Sequence, residues 1–351
     1  MFPIGRALLV INRTSGAGQR GVVTEKLTSM FQEALEHLND VRVEMVDTHM
    51  ATRACVDRFI RSSEAPTVVV AGGGGGTLRA VVEGICGEDP SKPLPGKERV
   101  RVGALRMGSG NVLAKRLGAP RDPVTGLRGL LENLAAGLTA PCCVMRCEIW
   151  KGKGLSEVHH AATLGGLGQF GRIPGDLARW HVRLPRLHRS FAGSLGLERL
   201  TNLEYTVALF LRAVSCALST KSAETIEVHF RNQKTRLQLL SGVAMAFPIK
   251  ALPFRPSVRP EAISIYLVPF KGRLSSLRQL YPRSLIPHTL CHRLESNEQL
   301  EIHLIDRDCI DFFLDEDPLT ACCRLSFGVA GSLAFIPGSD YRARTQEGTA
   351  V

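Results

Sequence analysis

Three short polar turns rich in glycine carry the residues of this sequence that are best suited to chemistry. They read NRTSGAG at 12–18, GGGGGT at 72–77 and MGSGN at 107–111. A glycine-rich turn that opens a helix presents unhindered backbone N–H groups beside the positive end of the helix dipole, which suits phosphate. Such a turn can also simply allow tight strand-to-helix packing. Three of them together are harder to explain by packing alone, so they predict a phosphate site.

The elements that must position these turns alternate between strands and helices up to about residue 140. The alternation of apolar runs and helical periods predicts strand Ala7–Ile11, a helix with apolar positions from 23 to 38, strand Val41–Val46, a helix over 51–62, strand Thr67–Ala71, a helix from Leu78, strand Val100–Leu105 and a helix over Asn111–Leu117. This βαβ order predicts a parallel sheet with helices on both faces. Ligands of such sheets bind at the carboxyl ends of the strands, where all three turns fall.

The chain after Pro141 has a different pattern, with strands that lack regular helical crossovers. The predicted strands are 141–150, 158–164, 224–231, 235–247, 262–268, 299–305 and 309–314, with one helix over Leu203–Val214. This pattern indicates an antiparallel sandwich or barrel.

Composition limits the class of protein. With 351 residues and 44% hydrophobic content, the chain is long enough for two domains with buried cores. Its formal charge of +11 favours anionic partners, which are nucleotides, nucleic acids or acidic membrane surfaces. No nucleic-acid-binding module accompanies the charge, so we expect no nucleic-acid partner. No apolar stretch reaches about 18 residues, which predicts a soluble, cytoplasmic protein.

Cysteines and histidines predict no metal site. Ten cysteines are few for a disulfide scaffold of this size, and the vicinal pairs 142–143 and 322–323 lack the spacing of zinc ligands. We therefore expect reduced, mostly buried thiols. His159, His160 and the other histidines receive no role, and no residue is assigned as a metal ligand.

An acidic cluster follows the apolar run 309–314. Asp315, Glu316 and Asp317 stand together before Pro318. A trio of this kind is usually a solvated turn, although a carboxylate that ends a strand can also orient or deprotonate a hydroxyl group.

A basic segment, 171–200, carries six arginines with Trp180, Phe191 and several leucines between them. Basic heads on apolar stems suit an anionic membrane surface. A solvated helical face that covers the second domain explains the same pattern equally well.

The three turns, taken in order, resemble those of the diacylglycerol kinase catalytic-domain family, which includes bacterial lipid kinases and sphingosine kinases. The family motifs Asn-Pro-x-Ser-Gly, Gly-Gly-Asp-Gly-Thr-Leu and Pro-x-Gly-Thr-x-Asn-Asp are matched in part by Asn12, Ser15 and Gly16, by Gly73, Gly74, Gly76, Thr77 and Leu78, and by Gly108, Ser109 and Asn111. The resemblance continues through AATLGGLGQFGR, FFLDEDPL and LSFGVAGSLAFIPG, so it spans nearly the whole chain.

The resemblance implies a fold and an activity. It implies an α/β nucleotide-binding domain like that of the diacylglycerol and NAD kinases over 1–140, with a C-terminal return at 328–351, and a β-sandwich lipid-substrate domain over 141–327. It further implies a kinase that uses ATP and Mg²⁺ to phosphorylate a lipid hydroxyl of diacylglycerol-like or sphingoid type, with peripheral association to anionic membranes. A homodimer is compatible with this interpretation.

The resemblance also implies the site residues. Those expected to contact the nucleotide are Asn12, Arg13, Thr14, Ser15, Gly16, Thr48, Gly73, Gly74, Gly75, Gly76, Thr77, Ser109 and Asn111. The family places its proposed base in a C-terminal Asp-Gly-Glu motif, where this sequence has Asp315 and Asp317. These two are the expected catalytic residues.

Several positions depart from the family pattern. Gly75 stands where the family has the Asp of its Gly-Gly-Asp-Gly-Thr turn, and the catalytic Glu is replaced by the shorter Asp317. The other departures are Arg79, Ala80, Met107 and Val112. Backbone recognition of a nucleotide tolerates these changes better than catalysis does. A catalytically impaired nucleotide- or lipid-binding homologue is therefore one alternative, and an NAD kinase-like enzyme is another.

Overall fold

The computed structural model of the chain divides into two units. Met1–Cys142 together with Gly331–Val351 forms the first unit, and Cys143–Ala330 forms the second. The residues that the structure describes are 4–87, 95, 99–108, 111–151, 154–183, 207–208, 210–212, 214–215, 223–249, 252, 254, 256, 259, 261–272, 288–306, 308–315 and 317–341.

The first unit alternates strands and helices as the sequence predicts. Its elements in chain order are β1 (Arg6–Asn12), α1 (Gly21–Ala34), β2 (Asp40–Val46), α2 (His49–Arg61), β3 (Thr67–Gly73), α3 (Gly75–Cys86), β4 (Val100–Arg106), α4 (Val112–Arg116) and α5 (Pro123–Ala135).

The strands of the first unit form a parallel sheet with the order β4-β3-β1-β2. Residues 331–335 extend it, since Ala334 and Phe335 pair in parallel with Arg101 and Val102 of β4. From β1 the chain first moves outward to β2 and then returns to the other side of β1 to form β3. The turns after β1 and β3 therefore leave the sheet in opposite directions. Ligands of open α/β sheets bind at such a switch point.

Apolar side chains bury the central strand on both faces. Ala7, Leu9 and Ile11 of β1 join a buried cluster with Phe31 of α1 and Leu130 of α5. Leu8 and Val10, which point the other way because side chains alternate along a strand, are also fully buried. This burial explains why β1 reads as a continuous apolar run, and it fixes the strand whose carboxyl end carries the first turn.

Two helices of the first unit differ from the prediction. α3 begins at Gly75, three residues before the predicted start at Leu78, because glycines carry no side chain that contributes to apolar periodicity. α5 is not predicted at all, although its start is well marked. Asp122 caps it by accepting a hydrogen bond of 2.8 Å from the Thr125 N–H, and Pro123 occupies its first turn.

The second unit is rich in strands and contains two short helices within its described elements. In chain order the elements are β5 (Ala140–Lys151), β6 (Gly154–Ala161), β7 (Leu164–Leu167), α6 (Gly168–Gly171), α7 (Ile173–Arg183), β8 (Glu224–Phe230), β9 (Gln233–Met245), β10 (Ile263–Pro269), β11 (Leu290–Leu294), β12 (Gln299–Leu304), β13 (Cys309–Leu314), β14 (Asp317–Cys322) and β15 (Arg324–Phe335). β7, β11, β14, β15 and both helices are absent from the prediction.

The strands of the second unit pair antiparallel in the order β14-β13-β7-β9-β8-β12-β15. β10 pairs with β9 and β11, and β5 pairs with β6, again antiparallel. The predicted fold class is thus confirmed, with a parallel α/β unit followed by an antiparallel, strand-rich one. Within the predicted helix Leu203–Val214, residues 207–208, 210–212 and 214 are helical and the rest lies outside the described residues.

The sequence also predicted that no segment spans a membrane and that the thiols are reduced and mostly buried. No described helix has both the length and the hydropathy of a membrane-spanning segment. The eight cysteines that the structure describes in full are free thiols. Burial raises the pKa of Cys142 to about 12, which keeps that thiol protonated. The expectation of mostly buried thiols is wrong for three cysteines, because Cys291, Cys309 and Cys323 are exposed.

Candidate functional site

The turn after β1 is built around the side chain of Asn12. Its Oδ1 accepts hydrogen bonds from the Thr14 N–H at 2.9 Å and the Thr14 hydroxyl at 2.7 Å. The Ser15 hydroxyl donates to the Asn12 carbonyl at 2.7 Å. A Cβ added to Gly18 would lie 2.0 Å from the Asn12 carbonyl oxygen, so only glycine allows this closure. The polar residues of the turn thus hold its backbone in one conformation.

Hydrogen bonds tie this first turn to the other two. The Asn12 amide donates to the Thr77 hydroxyl at 3.0 Å, which links the end of β1 to the first turn of α3. The Ala17 N–H donates to the Met107 carbonyl at 3.1 Å, which links the same turn to the residue after β4. The structure therefore brings together three turns whose residues are up to 99 positions apart in the numbering.

The second and third turns meet through bare backbone. The Met107 N–H donates to the Gly73 carbonyl at 3.2 Å. Beside this bond the two turns come so close that a Cβ on Gly108 would lie 2.4 Å from the Gly74 Cα and 3.0 Å from the Gly74 nitrogen. A Cβ on Gly74 would meet the Gly108 Cα at 3.4 Å, an ordinary contact distance. The requirement for glycine is thus stringent at 108 and relaxed at 74.

Asn111 closes the third turn. It lies in the left-handed region with φ 50°, where asparagine is tolerated better than most residues, and its side chain is 6% exposed. Its amide donates to the Gly108 carbonyl and its Oδ1 accepts from the Gly108 N–H at 3.4 Å. Ser109, predicted as a nucleotide contact, lies outside the described residues.

The first turn of α3 contains Gly75 and Gly76, both half-buried. Gly74 is the N-cap residue, and because glycine has no side chain it leaves the start of the helix uncovered. Gly75 is the first helical residue and is not among the described residues with positive φ. Glycine is therefore not required at 75 by backbone strain. An anion approaching this end would meet unhindered N–H groups and the positive end of the helix dipole.

Arg13 and Thr48 lie where β1 and β2 end side by side. The Arg13 N–H donates to the Val46 carbonyl at 2.9 Å, and its exposed guanidinium pairs with Asp47 through a bond of 2.9 Å from Nε to Oδ1. The hydrogen bond that Arg13 donates to Asp47 raises the pKa of Arg13 above its usual value, so the guanidinium stays charged. Thr48 is the exposed N-cap residue of α2 and accepts from the Ala51 N–H at 3.1 Å.

A buried ionic group in α3, missed by the sequence analysis, contacts the start of α2. Glu83 is 1% exposed and its Oε2 lies 2.7 Å from Nε2 of His49. Its other oxygen lies 3.7 Å from Nη1 of Arg79, a residue that is 4% exposed. Arg79, a departure from the family pattern, is thus accompanied by a buried carboxylate one helical turn later. The i,i+4 spacing of Arg79 and Glu83 is the only sequence signal of this group.

Asp315 is a buried carboxylate that accepts hydrogen bonds from one short segment. It is 2% exposed, and its oxygens accept from the N–H groups of Ala162, Thr163 and Leu164 at 2.9, 3.0 and 3.1 Å. The Thr163 hydroxyl donates to it as well. Asp315 itself has φ 47° and lies between the paired strands β13 and β14. Its carboxylate therefore fixes the hairpin against the segment that leads into β7.

Asp317 starts β14 and pairs with Leu314 across the hairpin. Its side chain is half-buried, unlike that of Asp315. The two predicted catalytic residues thus occupy different environments, one enclosed by backbone donors and one at a partly open strand end. Glu316, between them, lies outside the described residues. The catalytic and nucleotide-binding roles of the predicted residues stay predictions.

Replacing Asp315 by alanine is expected to lower the free energy of unfolding by about 3–5 kcal/mol, because three buried N–H groups would lose an ionised acceptor. Urea unfolding of the purified protein measures this change. Asp311→Ala is the matched control, since that side chain is exposed and lies on the adjacent strand. A loss below about 1 kcal/mol for Asp315→Ala would contradict the anchoring role.

The basic segment 171–200 is described only as far as residue 183. Arg172 donates to the buried Glu224 at 2.8 Å and lies 3.5 Å from the exposed Asp311, so it is engaged in ion pairs within the second unit. Arg179 contacts Asp176 at 2.5 Å while its side chain is 61% exposed. Residues 184–200 lie outside the described residues, and so does the side chain of Arg183. The membrane-docking role of the segment stays a prediction.

The fold and its three turns define a class of protein. It is an α/β unit whose glycine turns converge at the topological switch point of a parallel sheet, followed by an antiparallel, strand-rich unit. Residues 6–147 match the family model of the diacylglycerol kinase catalytic domain. The resemblance stated from the sequence is confirmed over this stretch.

Solved structures extend the likeness of fold to nearly the whole chain. A structure from Bacillus anthracis strain Sterne, described as a "putative diacylglycerol kinase", is similar with a TM-score of 0.62 and 12% identity over 95% of this chain and 96% of that one. A second structure of the same description and strain has a TM-score of 0.61 and 13% identity over 96% and 99% of the two chains. A search of the curated proteins gives no match to this sequence.

Proposed function

We propose that this protein is an ATP-dependent lipid kinase, which transfers the γ-phosphoryl group of ATP to the hydroxyl group of a lipid. The observation that carries this proposal is the convergence of three backbone turns at the switch point of the parallel sheet. A Cβ at Gly108 would collide with the backbone of Gly74, so the second and third turns can meet this closely only with glycine at 108. Such an arrangement supports the binding of a polyphosphate.

The residues of the first unit fit ATP better than they fit a tightly held metal ion. The start of α3 supplies N–H groups, the turns around Asn12 and Gly108 hold this helix start in place, and the charged Arg13 lies beside the first turn. Gly75 supplies no carboxylate where the family has one. Mg²⁺ needs few protein ligands when substrate phosphates and water complete its shell, so its binding with ATP is compatible with this set.

The chemical roles follow from the environments of the two aspartates. Asp317, half-buried at the start of β14, is proposed to orient or deprotonate the attacking lipid hydroxyl. Asp315 is proposed to position the hairpin that carries Asp317, because its carboxylate accepts four hydrogen bonds within the protein. Mg²⁺ bound with ATP would spread the negative charge of the transferred group.

The proposed acceptor is a diacylglycerol-like or sphingoid lipid in an anionic membrane surface. The formal charge of +11 supports attraction to such a surface. In the second unit, Val207, Phe210 and Leu211 expose between 41% and 49% of their surface on one short helical stretch. Exposed apolar side chains on a basic protein support peripheral contact with lipid.

Gly75 favours a second candidate, a homologue that binds nucleotide and lipid without transferring phosphate. The backbone conformation of Gly75 is one that aspartate adopts without strain, since it is the first helical residue and has no positive φ. A carboxylate in the first turn of a helix is also favoured by the dipole, by roughly 0.3–1 kcal/mol. The backbone conformation at this position therefore does not require the absence of the carboxylate.

The decisive experiment incubates the protein with γ-labelled ATP, Mg²⁺ and acidic vesicles that contain a panel of diacylglycerols and sphingoid bases. Labelled lipid is the expected result, and Gly75→Asp is expected to raise the rate. If calorimetry finds ATP binding while neither the unmutated protein nor Gly75→Asp labels a lipid, the impaired homologue is correct. If neither transfer nor adenine-nucleotide binding is found, both candidates are wrong.

A further inference from the structure

Two strands of the second unit each contribute a Glu-x-His sequence to one face of their sheet. Glu227 and His229 lie on β8, and Glu301 and His303 lie on β12. Since residues i and i+2 of a strand point to the same face, the glutamate and histidine of each strand share a side of the sheet. None of these residues belongs to the three turns or to the acidic hairpin.

The antiparallel register brings the two sequences into one cluster. His229 lies opposite Glu301, and His303 lies opposite Glu227, so histidines and glutamates alternate around the four positions. The two imidazole rings stack with centroids 4.2 Å apart and an angle of 27° between their planes. Ligand atoms of His229, Glu301 and His303 all lie within 4.8 Å of one another.

We propose that His229, His303 and Glu301 form a site for a divalent transition-metal ion of the Zn²⁺ type. Two imidazoles and one carboxylate are a donor set found at zinc sites that keep a fourth, open position. Ligand atoms around a tetrahedral zinc ion are about 3.3 Å apart, given bonds of about 2.0–2.1 Å. The ligand atoms, now within 4.8 Å of one another, would move closer together when an ion binds.

Neighbouring groups support the ligand geometry. Glu227 forms a hydrogen bond with Nε2 of His229, and Oε2 of Glu301 lies 2.9 Å from Nε2 of His303, so a carboxylate orients each ring. Arg324 lies 3.5 Å from Oε2 of Glu301 and stacks on Trp150 at 3.7 Å from the ring centroid, so it holds that carboxylate from outside the set of three. The four histidine and glutamate side chains retain 25–32% of their surface exposed, which leaves an entry path for an ion.

The consequence of binding would be a cross-link between β8 and β12, which are paired in the sheet although 68 residues lie between them in sequence. An ion that binds only the folded state stabilises it by mass action. The site is independent of the proposed kinase activity, because it lies on other strands and uses other residues.

The test titrates the purified full chain with Zn²⁺ alone, using calorimetry and competition against a chromophoric chelator, and repeats the titration with Co²⁺ to record its absorption spectrum. The unmutated protein is expected to bind one equivalent at this site with an increase in Tm. The double variant His229→Gln/His303→Gln is expected to lose that equivalent, with affinity lowered by at least about 100-fold. Its Co²⁺ spectrum should lose the contribution of imidazole ligands.

His159→Gln is the matched control. His159 contacts Glu157 at 3.1 Å on β6, which repeats the Glu-x-His sequence. Its partner in the antiparallel register is Cys147, and the neighbouring His160 points to the other face of the sheet. It should keep the bound equivalent and the rise in Tm. All variants retain the ten cysteines of the chain, so binding to thiols contributes equally to each.

Three results would overturn the proposal. In the first, the unmutated protein binds no Zn²⁺ with micromolar or tighter affinity, which would mean that the cluster is only two imidazole–carboxylate pairs. The double variant could bind as tightly as the unmutated protein, or His159→Gln could lose binding to the same extent. If the double variant does not fold, Glu301→Gln replaces it, with the same expected loss of the equivalent and of the Co²⁺ signal.

Discussion

Replacing Asp317 by asparagine is expected to lower the lipid kinase turnover of an active preparation by about 10² to 10⁴-fold, the usual contribution of a positioned general base. The amide keeps the size of the carboxylate but cannot accept the proton of the attacking hydroxyl. Asp317 is half-buried at the start of β14, so the substitution removes no enclosed charge and should leave folding intact. Initial rates of lipid labelling give the turnover, and calorimetry should give an unchanged affinity for ATP.

Asp311→Asn is the control for the Asp317 experiment, because Asp311 is exposed on β13 of the same hairpin and has no proposed role in catalysis. It should retain the turnover of the unmutated protein. Full turnover in Asp317→Asn would show that the acidic hairpin has only a structural role and that the catalytic carboxylate lies elsewhere. Equal losses in both variants would indicate a general effect of charge on the hairpin instead of catalysis.

The parallel sheet was predictable because its central strands are buried on both faces. β1 and β3 read as continuous apolar runs, and each ends at a glycine-bearing or asparagine-bearing turn. Both signals depend only on the residues of one short segment. The order of the strands is not local in this sense, so the switch point beside β1 could be inferred only as a property of the fold class.

The helix boundaries were less predictable where the signal is not an apolar period. α3 starts at Gly75, a residue with low helix propensity. Its start depends on contacts from outside the segment, such as the hydrogen bond from Asn12 to Thr77. α5 carries a full start signal in Asp122 and Pro123, so its absence from the prediction was an error of interpretation.

The environment of the acidic cluster could not be read from the sequence. Asp315 and Asp317 are two residues apart and chemically identical, yet one accepts four hydrogen bonds in the interior and the other lies half-buried. The donors to Asp315 come from residues 162–164, about 150 positions earlier. Only the pairing of β13 with β7 brings them together.

The histidine cluster illustrates the same limit. Glu227-x-His229 and Glu301-x-His303 are visible as a repeated pattern, but each alone is an ordinary feature of an exposed strand face. The register of β8 with β12 turns two unremarkable patterns into one set of ligand atoms. A shift of one residue in that register would send the two pairs to opposite faces.

Gly108→Ala is expected to weaken ATP binding by about 10 to 100-fold, which is about 1.4–2.8 kcal/mol. The new methyl group would lie 2.4 Å from the Gly74 Cα, and such overpacking against backbone typically costs about 1–3 kcal/mol and would separate the second and third turns. Calorimetric titration with ATP measures the loss, and thermal unfolding separates it from a general loss of stability.

Gly74→Ala probes the same contact from the opposite side. Its methyl group would lie 3.4 Å from the Gly108 Cα, so the affinity for ATP should change by less than about threefold. Equal affinities for the two variants would mean that the close approach of these turns does not form the phosphate site, and ATP binding would then have to be assigned to another part of the chain.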